Sequence, residues 1–218
     1  MLIRPVGTGE RVPGPLLALV GAIVVIELAL SAADRGLFGG VDWRRAALVY
    51  GAFWEPLLDG RLRPAFALQP YTMFLSHAFL HGGLLHVAMN GVILLSLGKF
   101  VAEQTGVWPL MLLLAAAAVG GGVGVGLLAE ADAPMIGASG AVFGLLGLWQ
   151  YWEATARRRM GLTLAPVLQT LAGLVVLNVL IAILVQGALA WQAHLGGFVA
   201  GAALGPVMTG FARRHRGG

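Results

Sequence analysis

Apolar residues run in long blocks separated by short polar stretches, with no alternation at every second position and no single apolar stripe at helical spacing. The blocks run roughly from Pro15 to Ala33, Phe79 to Phe100, Trp108 to Ala129, Ile136 to Trp152, Leu162 to Gln186 and Ala190 to Gly210. Each has the length that lets a helix cross a hydrocarbon layer, about 17–25 residues. The pattern predicts an all-α polytopic membrane protein with six transmembrane helices. One long connection, about Asp34 to Ser76, carries Trp43, Tyr50, Phe53 and Trp54 among arginines and acids. That mixture suits the headgroup zone and predicts an interfacial, partly helical first loop. Residues 1–218 read as a single membrane domain, with 1–14 a short N-terminal segment and 211–218 a basic tail.

Composition agrees with this reading. With 58% hydrophobic and 11% charged residues, the chain cannot cover a water-facing surface around one soluble core, so its solvent is a bilayer. The absence of cysteine excludes disulfides, thiol chemistry and cysteine-ligated metal. The net charge of +4 would hint at nucleic acid in a soluble protein, but here the arginines cluster between apolar blocks and act as topology signals. If the N-terminus is cytoplasmic, that side holds Arg4, Arg11, Lys99, Arg157, Arg158, Arg159, Arg213, Arg214 and Arg216. The other side holds Arg35, Arg44, Arg45, Arg61 and Arg63, diluted by Asp34, Asp42, Glu55, Asp59, Glu130 and Asp132. Both termini are therefore expected in the cytoplasm. The segment from Met1 to Pro15 lacks the pattern of a cleaved signal peptide. Basic charge carried almost wholly by arginine, with Lys99 the single lysine, hints at a GC-rich bacterial genome and hence a bacterial inner membrane.

Polar groups inside a membrane are costly unless paired or facing a wet cavity, so those within the blocks carry the information. His77, His81, His86 and Asn90 cluster at the second block, Ser139 sits between Gly137 and Gly140 near the start of the fourth, and His194 opens the sixth. Ser139 follows a turn-forming stretch, which implies a helix N-terminus whose free N–H groups favour a developing negative charge. By itself a G-x-S-G match is weak, because small residues are common in membrane helices. His194 precedes Gly197, Gly201 and Gly205, while Gly140, Gly144 and Gly147 form a second seam. Two such seams permit the close approach a serine needs to reach an imidazole on another helix. Taken block by block, plain packing explains each seam equally well. His86 and Asn90, four apart, share a helix face and offer donors of the kind that hold an oxyanion. Metal ligation by His77, His81 and His86 is a rival reading, opposed by the roughly 140° between His81 and His86 on a helix and by the lack of an in-block carboxylate joining that histidine cluster. Glu27, Gln169 and Asn178 read as bundle-facing structural groups.

These residues together resemble the rhomboid family of intramembrane serine proteases. His81 to Asn90 is similar to its H-x-x-x-x-H-x-x-x-N signature, Gly137 to Gly140 to its G-x-S-G, and Ala193 to Gly201 to its A-H-x-x-G-x-x-x-G, in the family's order. The resemblance implies a six-helix bundle and a Ser139–His194 dyad, with an oxyanion hole of His86, Asn90 and the Ser139 N–H. It further implies a ring at Phe143 packed on the catalytic imidazole, His81 stabilising the first loop, and a fifth span that moves as a lateral gate. Expected partners are transmembrane protein substrates and the lipid bilayer, with no nucleic acid, cofactor or metal; oligomeric state is left open. The sequence departs from the family in having Thr72-Met73 where a Trp-Arg pair often stands, which leaves open how the first loop packs. Two rivals are a non-hydrolytic relative that binds membrane proteins and a histidine-lined transporter. Filled catalytic positions oppose the first, and the lack of paired intramembrane charges or repeated broken halves opposes the second.

Overall fold

The computed structural model describes residues 11–39, 42–129, 133–186 and 189–217 and is helical throughout. The helices are α1 (Gly14–Asp34), α2 (Trp43–Gly51), α3 (Gln69–Ser76), α4 (Leu84–Thr105), α5 (Val107–Leu128), α6 (Ser139–Arg159), α7 (Ala165–Leu184), α8 (Trp191–Ala203) and α9 (Gly205–Gly217). Short 3-10 turns lie at Glu55–Leu57 and His77–Phe79. Helices α1, α4, α5 and α7 are each long and apolar enough to cross a membrane, and α8 with α9 reaches that length and apolarity as a pair bent by 50°. α6 is the exception by composition, because Gln150, Glu153 and Arg157 to Arg159 fill its second half. It nevertheless packs in the centre of the bundle, against α5 and α8.

Two predicted spans change shape. The second begins at Leu84 rather than Phe79, because His77–Phe79 closes a 3-10 turn and Gly83 takes φ +123°, a conformation only glycine adopts freely. The sixth is not one helix. Pro206 has no N–H to donate, so the helix breaks at Leu204 and restarts at Gly205. Helix α9 runs on through the predicted basic tail to Gly217.

Glycine decides how the central helices pack. A methyl group at Gly197 would fall 2.7 Å from the Gly140 carbonyl carbon, and one at Gly201 would fall 2.6 Å from that of Gly144. α6 and α8 thus meet backbone to backbone along the two predicted seams. A third seam, not anticipated, lies on α5, where Gly120 and Gly124 abut Gly196 and the Gln192 carbonyl of α8. In lipid, apolar surface gains nothing by meeting apolar surface, so this close approach is what holds the helices together.

The first loop is partly helical, as its composition predicts, and is fastened in two ways. Asp42 caps α2 by accepting from the Arg45 N–H at 2.9 Å. From that helix Arg44 reaches back to the fully buried Glu27 of α1 at 2.9 Å, to Asp34 at 2.6 Å and to the His81 carbonyl at 2.9 Å. Ser31 donates to the same Glu27 carboxylate at 2.8 Å. A buried carboxylate is tolerated only with such partners, and the hydrogen bond to Glu27 raises the Arg44 pKa further above its ordinary value. Glu27 is therefore structural, as read from sequence. The second fastening is apolar: Met73, at the position where the family pair is missing, is fully buried with Phe53, Leu57, Val125, Met135 and Ala193. Gln169, by contrast, is exposed one turn into α7 and does not face the bundle; so close to a helix end, a polar side chain is stable without a protein partner.

Candidate active site

Ser139 is the first residue of α6, and Val142 is the first residue whose N–H closes on a carbonyl of this helix's start, that of Ala138, at 3.0 Å. The N–H groups of Ser139 and its next neighbours therefore remain the unpaired donors of a helix N-terminus. The segment leading into Ser139 is pinned by the first loop. Phe53 and Met135 exchange a pair of backbone hydrogen bonds at 2.9 Å, the Gly137 N–H donates to the His77 carbonyl at 2.9 Å, and the Ala138 N–H donates to His81 Nε2 at 3.4 Å. His81 thus ties the first loop to the serine segment directly. Gly137 has φ +120°, and a methyl there would lie 2.9 Å from His86 Nε2 and 3.8 Å from Ser139 Oγ. Glycine is required at 137 on both counts, and its absence of a side chain lets the His86 ring and the serine hydroxyl share one space.

His86 lies in the first turn of α4 and accepts from the Gly82 N–H on Nδ1 at 3.3 Å. In the neutral ring the hydrogen then sits on Nε2, the nitrogen facing Gly137. His86 presents a donor there. The His81 and His86 rings are 5.0 Å apart and steeply inclined. His81 precedes α4, so the angle expected between them on one helix does not apply. One turn further along α4, Asn90 is buried with its Nδ2 unpaired among the described residues. A buried amide donor without an acceptor is costly in a finished core, so Asn90 also presents an N–H awaiting a partner.

His194 lies on α8 one turn before Gly197, the residue that touches Gly140. Its ring stacks on Phe143, with centroids 4.2 Å apart and planes 7° from parallel. Phe143 is four residues beyond Ser139 on α6, so serine, ring and imidazole occupy one helix face. Among the described residues the Ser139 hydroxyl makes no hydrogen bond of its own. The other side of His194 is less expected: Nδ1 lies 2.5 Å from Asn178 Oδ1 on α7. Asn178 Nδ2 in turn donates to the Leu174 carbonyl at 2.8 Å. A cavity of about 470 Å³ separates α7 from α6 and α8, its wall including Phe143, Asn178, Trp191, His194 and Phe198.

Four segments far apart in sequence, carrying His86 with Asn90, Ser139 with Phe143, His194, and Asn178, thus converge at one end of the bundle. The family model of the rhomboid domain matches residues 68–211, well over half of the chain and all of these positions. The chain belongs to the rhomboid family. It is 32% identical over 144 residues to RHOMBOID-like protein 5 of Arabidopsis thaliana, an alignment covering 62% of this chain and 43% of that protein. This rhomboid chain therefore spans less than half the length of that relative.

The structure brings His81, His86, Gly137 and Ser139 into one cluster, and stacks His194 on Phe143 of the same helix as Ser139; Asn90 lies one turn from His86 on α4. Asn178, read from sequence as a bundle-facing structural group, does face the bundle, but its contact with His194 was not foreseen. Its partner lies on another helix, so spacing within α7 does not reveal it. The available signal was depth: in alternating spans, the second half of α7 comes level with the starts of α4, α6 and α8.

Proposed function

We propose that this rhomboid is an intramembrane serine endopeptidase that cleaves transmembrane proteins in or near the membrane. The observation that carries the reading is the His194 ring stacked on Phe143, on the helix face that Ser139 opens. In the reaction, Ser139 Oγ attacks the substrate carbonyl carbon while its proton passes to His194 Nε2. The carbonyl oxygen takes the negative charge and is met by His86 Nε2–H, the Asn90 amide and the Ser139 N–H. As the intermediate collapses, the C–N bond breaks and His194 protonates the departing amine. Water, activated by the same imidazole, then releases the acyl group. Phe143, Gly137, Gly140, Gly197 and Gly201 shape the site without taking part in bond changes, and His81 anchors the loop above it. The chemistry requires no cofactor or metal.

Six spans follow if α6 crosses with the four long apolar helices and the bent α8–α9 pair. With the arginine-rich termini in the cytoplasm, the site opens toward the opposite face, where water is at hand. We place the protein in a bacterial inner membrane on the arginine-for-lysine bias. One observation favours the non-hydrolytic alternative, a relative that binds membrane proteins without cutting them: the Ser139 hydroxyl is not hydrogen-bonded to His194 in this state. Cleavage of a model single-span protein in liposomes separates the two. The wild type should cut it and Ser139→Ala should not, since that change removes the nucleophile and little volume. Equal cleavage by both would sink the mechanism, and no cleavage by either would favour the binding role.

A further inference from the structure

His194 is a useful base only in one tautomer. To take the Ser139 proton its Nε2 must be bare, so the ring hydrogen must sit on Nδ1 and needs an acceptor there. An asparagine can serve as that acceptor or defeat it, because its amide presents either an oxygen or an NH₂ group. Here the choice is made by the second contact. The Leu174 carbonyl can only accept, so Asn178 must turn Nδ2 toward it at 2.8 Å and leave Oδ1 facing His194 Nδ1 at 2.5 Å.

The helix that carries this acceptor is the least anchored in the bundle. Of the residues of α7, Val167 alone is buried, whereas Leu168, Val175, Val176, Leu180, Ile183 and Leu184 are each more than half exposed. The cavity lies between α7 and the rest of the site. We propose that Asn178 is a positioning residue for His194, fixing its Nδ1–H tautomer, and that the base is correctly set only while α7 is seated against the site. Moving α7 outward withdraws the acceptor and frees the imidazole to adopt the Nε2–H form, which cannot take the serine proton. The inference rests on the proteolytic reading for its consequence, but not for its geometry.

The test uses the full chain in liposomes, with ¹⁵N-labelled histidine. The His194 signals are assigned by their loss in His194→Ala, and the tautomer is read from the nitrogen shifts. Cleavage of the model substrate is followed in parallel. In the wild type, His194 should be predominantly Nδ1–H. Asn178→Leu, similar in size and suited to an apolar wall, should leave a mixture of tautomers. It should lower kcat about tenfold to a hundredfold with little change in KM. Asn178→Asp, which keeps an acceptor oxygen, should restore the tautomer and much of the rate; a merely structural role predicts no such split. An unchanged His194 tautomer in Asn178→Leu, or an altered tautomer with unchanged kcat, would overturn the proposal. If the wild type proves inactive it is the proteolytic reading that fails, and the tautomer comparison alone still decides the role of Asn178.

Discussion

Helices α6 and α7 follow one another in the chain, yet one is locked and the other barely held. α6 lies backbone to backbone with α8, whereas α7 has a single glycine, Gly173, with nothing within 4 Å of where its side chain would be. α7 is by composition the better membrane helix, and α6 does not even pass as one. Apolarity therefore does not decide which helix is fixed. Lipid already satisfies an apolar surface, so a helix is held only where small residues admit close contact or polar groups pair. α6 and α8 have glycines at intervals of three and four; α7 has Asn178. On the proposed mechanism the chemistry divides along the same line, with Ser139 and His194 on the locked pair and Asn178, the partner of the His194 ring, on the loose helix.

The largest effect should come from breaking the locked side. Gly197→Leu would drive a side chain into the Gly140 backbone, a clash with main chain that repacking cannot absorb. It should cost more than the about 1–3 kcal/mol of ordinary overpacking. Thermal unfolding in detergent should show little or no folded protein, and a transition near that of the wild type would refute the backbone contact. A smaller change sharpens the comparison by altering chemistry on the locked side without touching its packing. Asn90→Ala removes an amide whose Nδ2 has no partner to lose among the described residues, so it should unfold near the wild-type temperature. If the amide meets the oxyanion only as charge develops, turnover should fall about a hundredfold, the lower end of what one such donor contributes. A destabilised protein with unchanged turnover per folded molecule would make Asn90 a packing residue. The smallest effect belongs to the loose side. Gly173→Ala meets no neighbour and improves helix propensity, so it should stabilise by about 0.5–1 kcal/mol or be neutral. A marked loss of stability there would mean that α7 packs closely after all.

Much of this was legible in the sequence, because lipid makes a few features decisive. Helix positions follow from apolar block length, the α6–α8 contact from glycines at fixed intervals, and the nearness of His86 to Ser139 from the joint resemblance of the motifs. What was hidden depends on contacts between segments. The Arg44 partner of Glu27 lies across the first loop, seventeen residues away, and no spacing rule joins them. The helix start at Leu84 was masked by an apolar run that continues through a 3-10 turn, since hydropathy does not register φ. The break at Leu204 was visible as Gly205-Pro206, but the glycine also fitted the seam and so concealed it. Asn178 does face the bundle, as read, but its His194 partner was hidden, because an amide reveals whether it donates or accepts only through its neighbours.

The central claim is that Ser139 is a nucleophile activated by His194, and a serine-directed fluorophosphonate probe tests it without any knowledge of the natural substrate. Purified protein in liposomes is treated with the probe, digested, and the labelled residue mapped by mass spectrometry. The account predicts a single labelled site at Ser139 in the wild type and none in folded His194→Ala. Labelling at another residue, no labelling of the wild type, or undiminished labelling of Ser139 without His194 would contradict it.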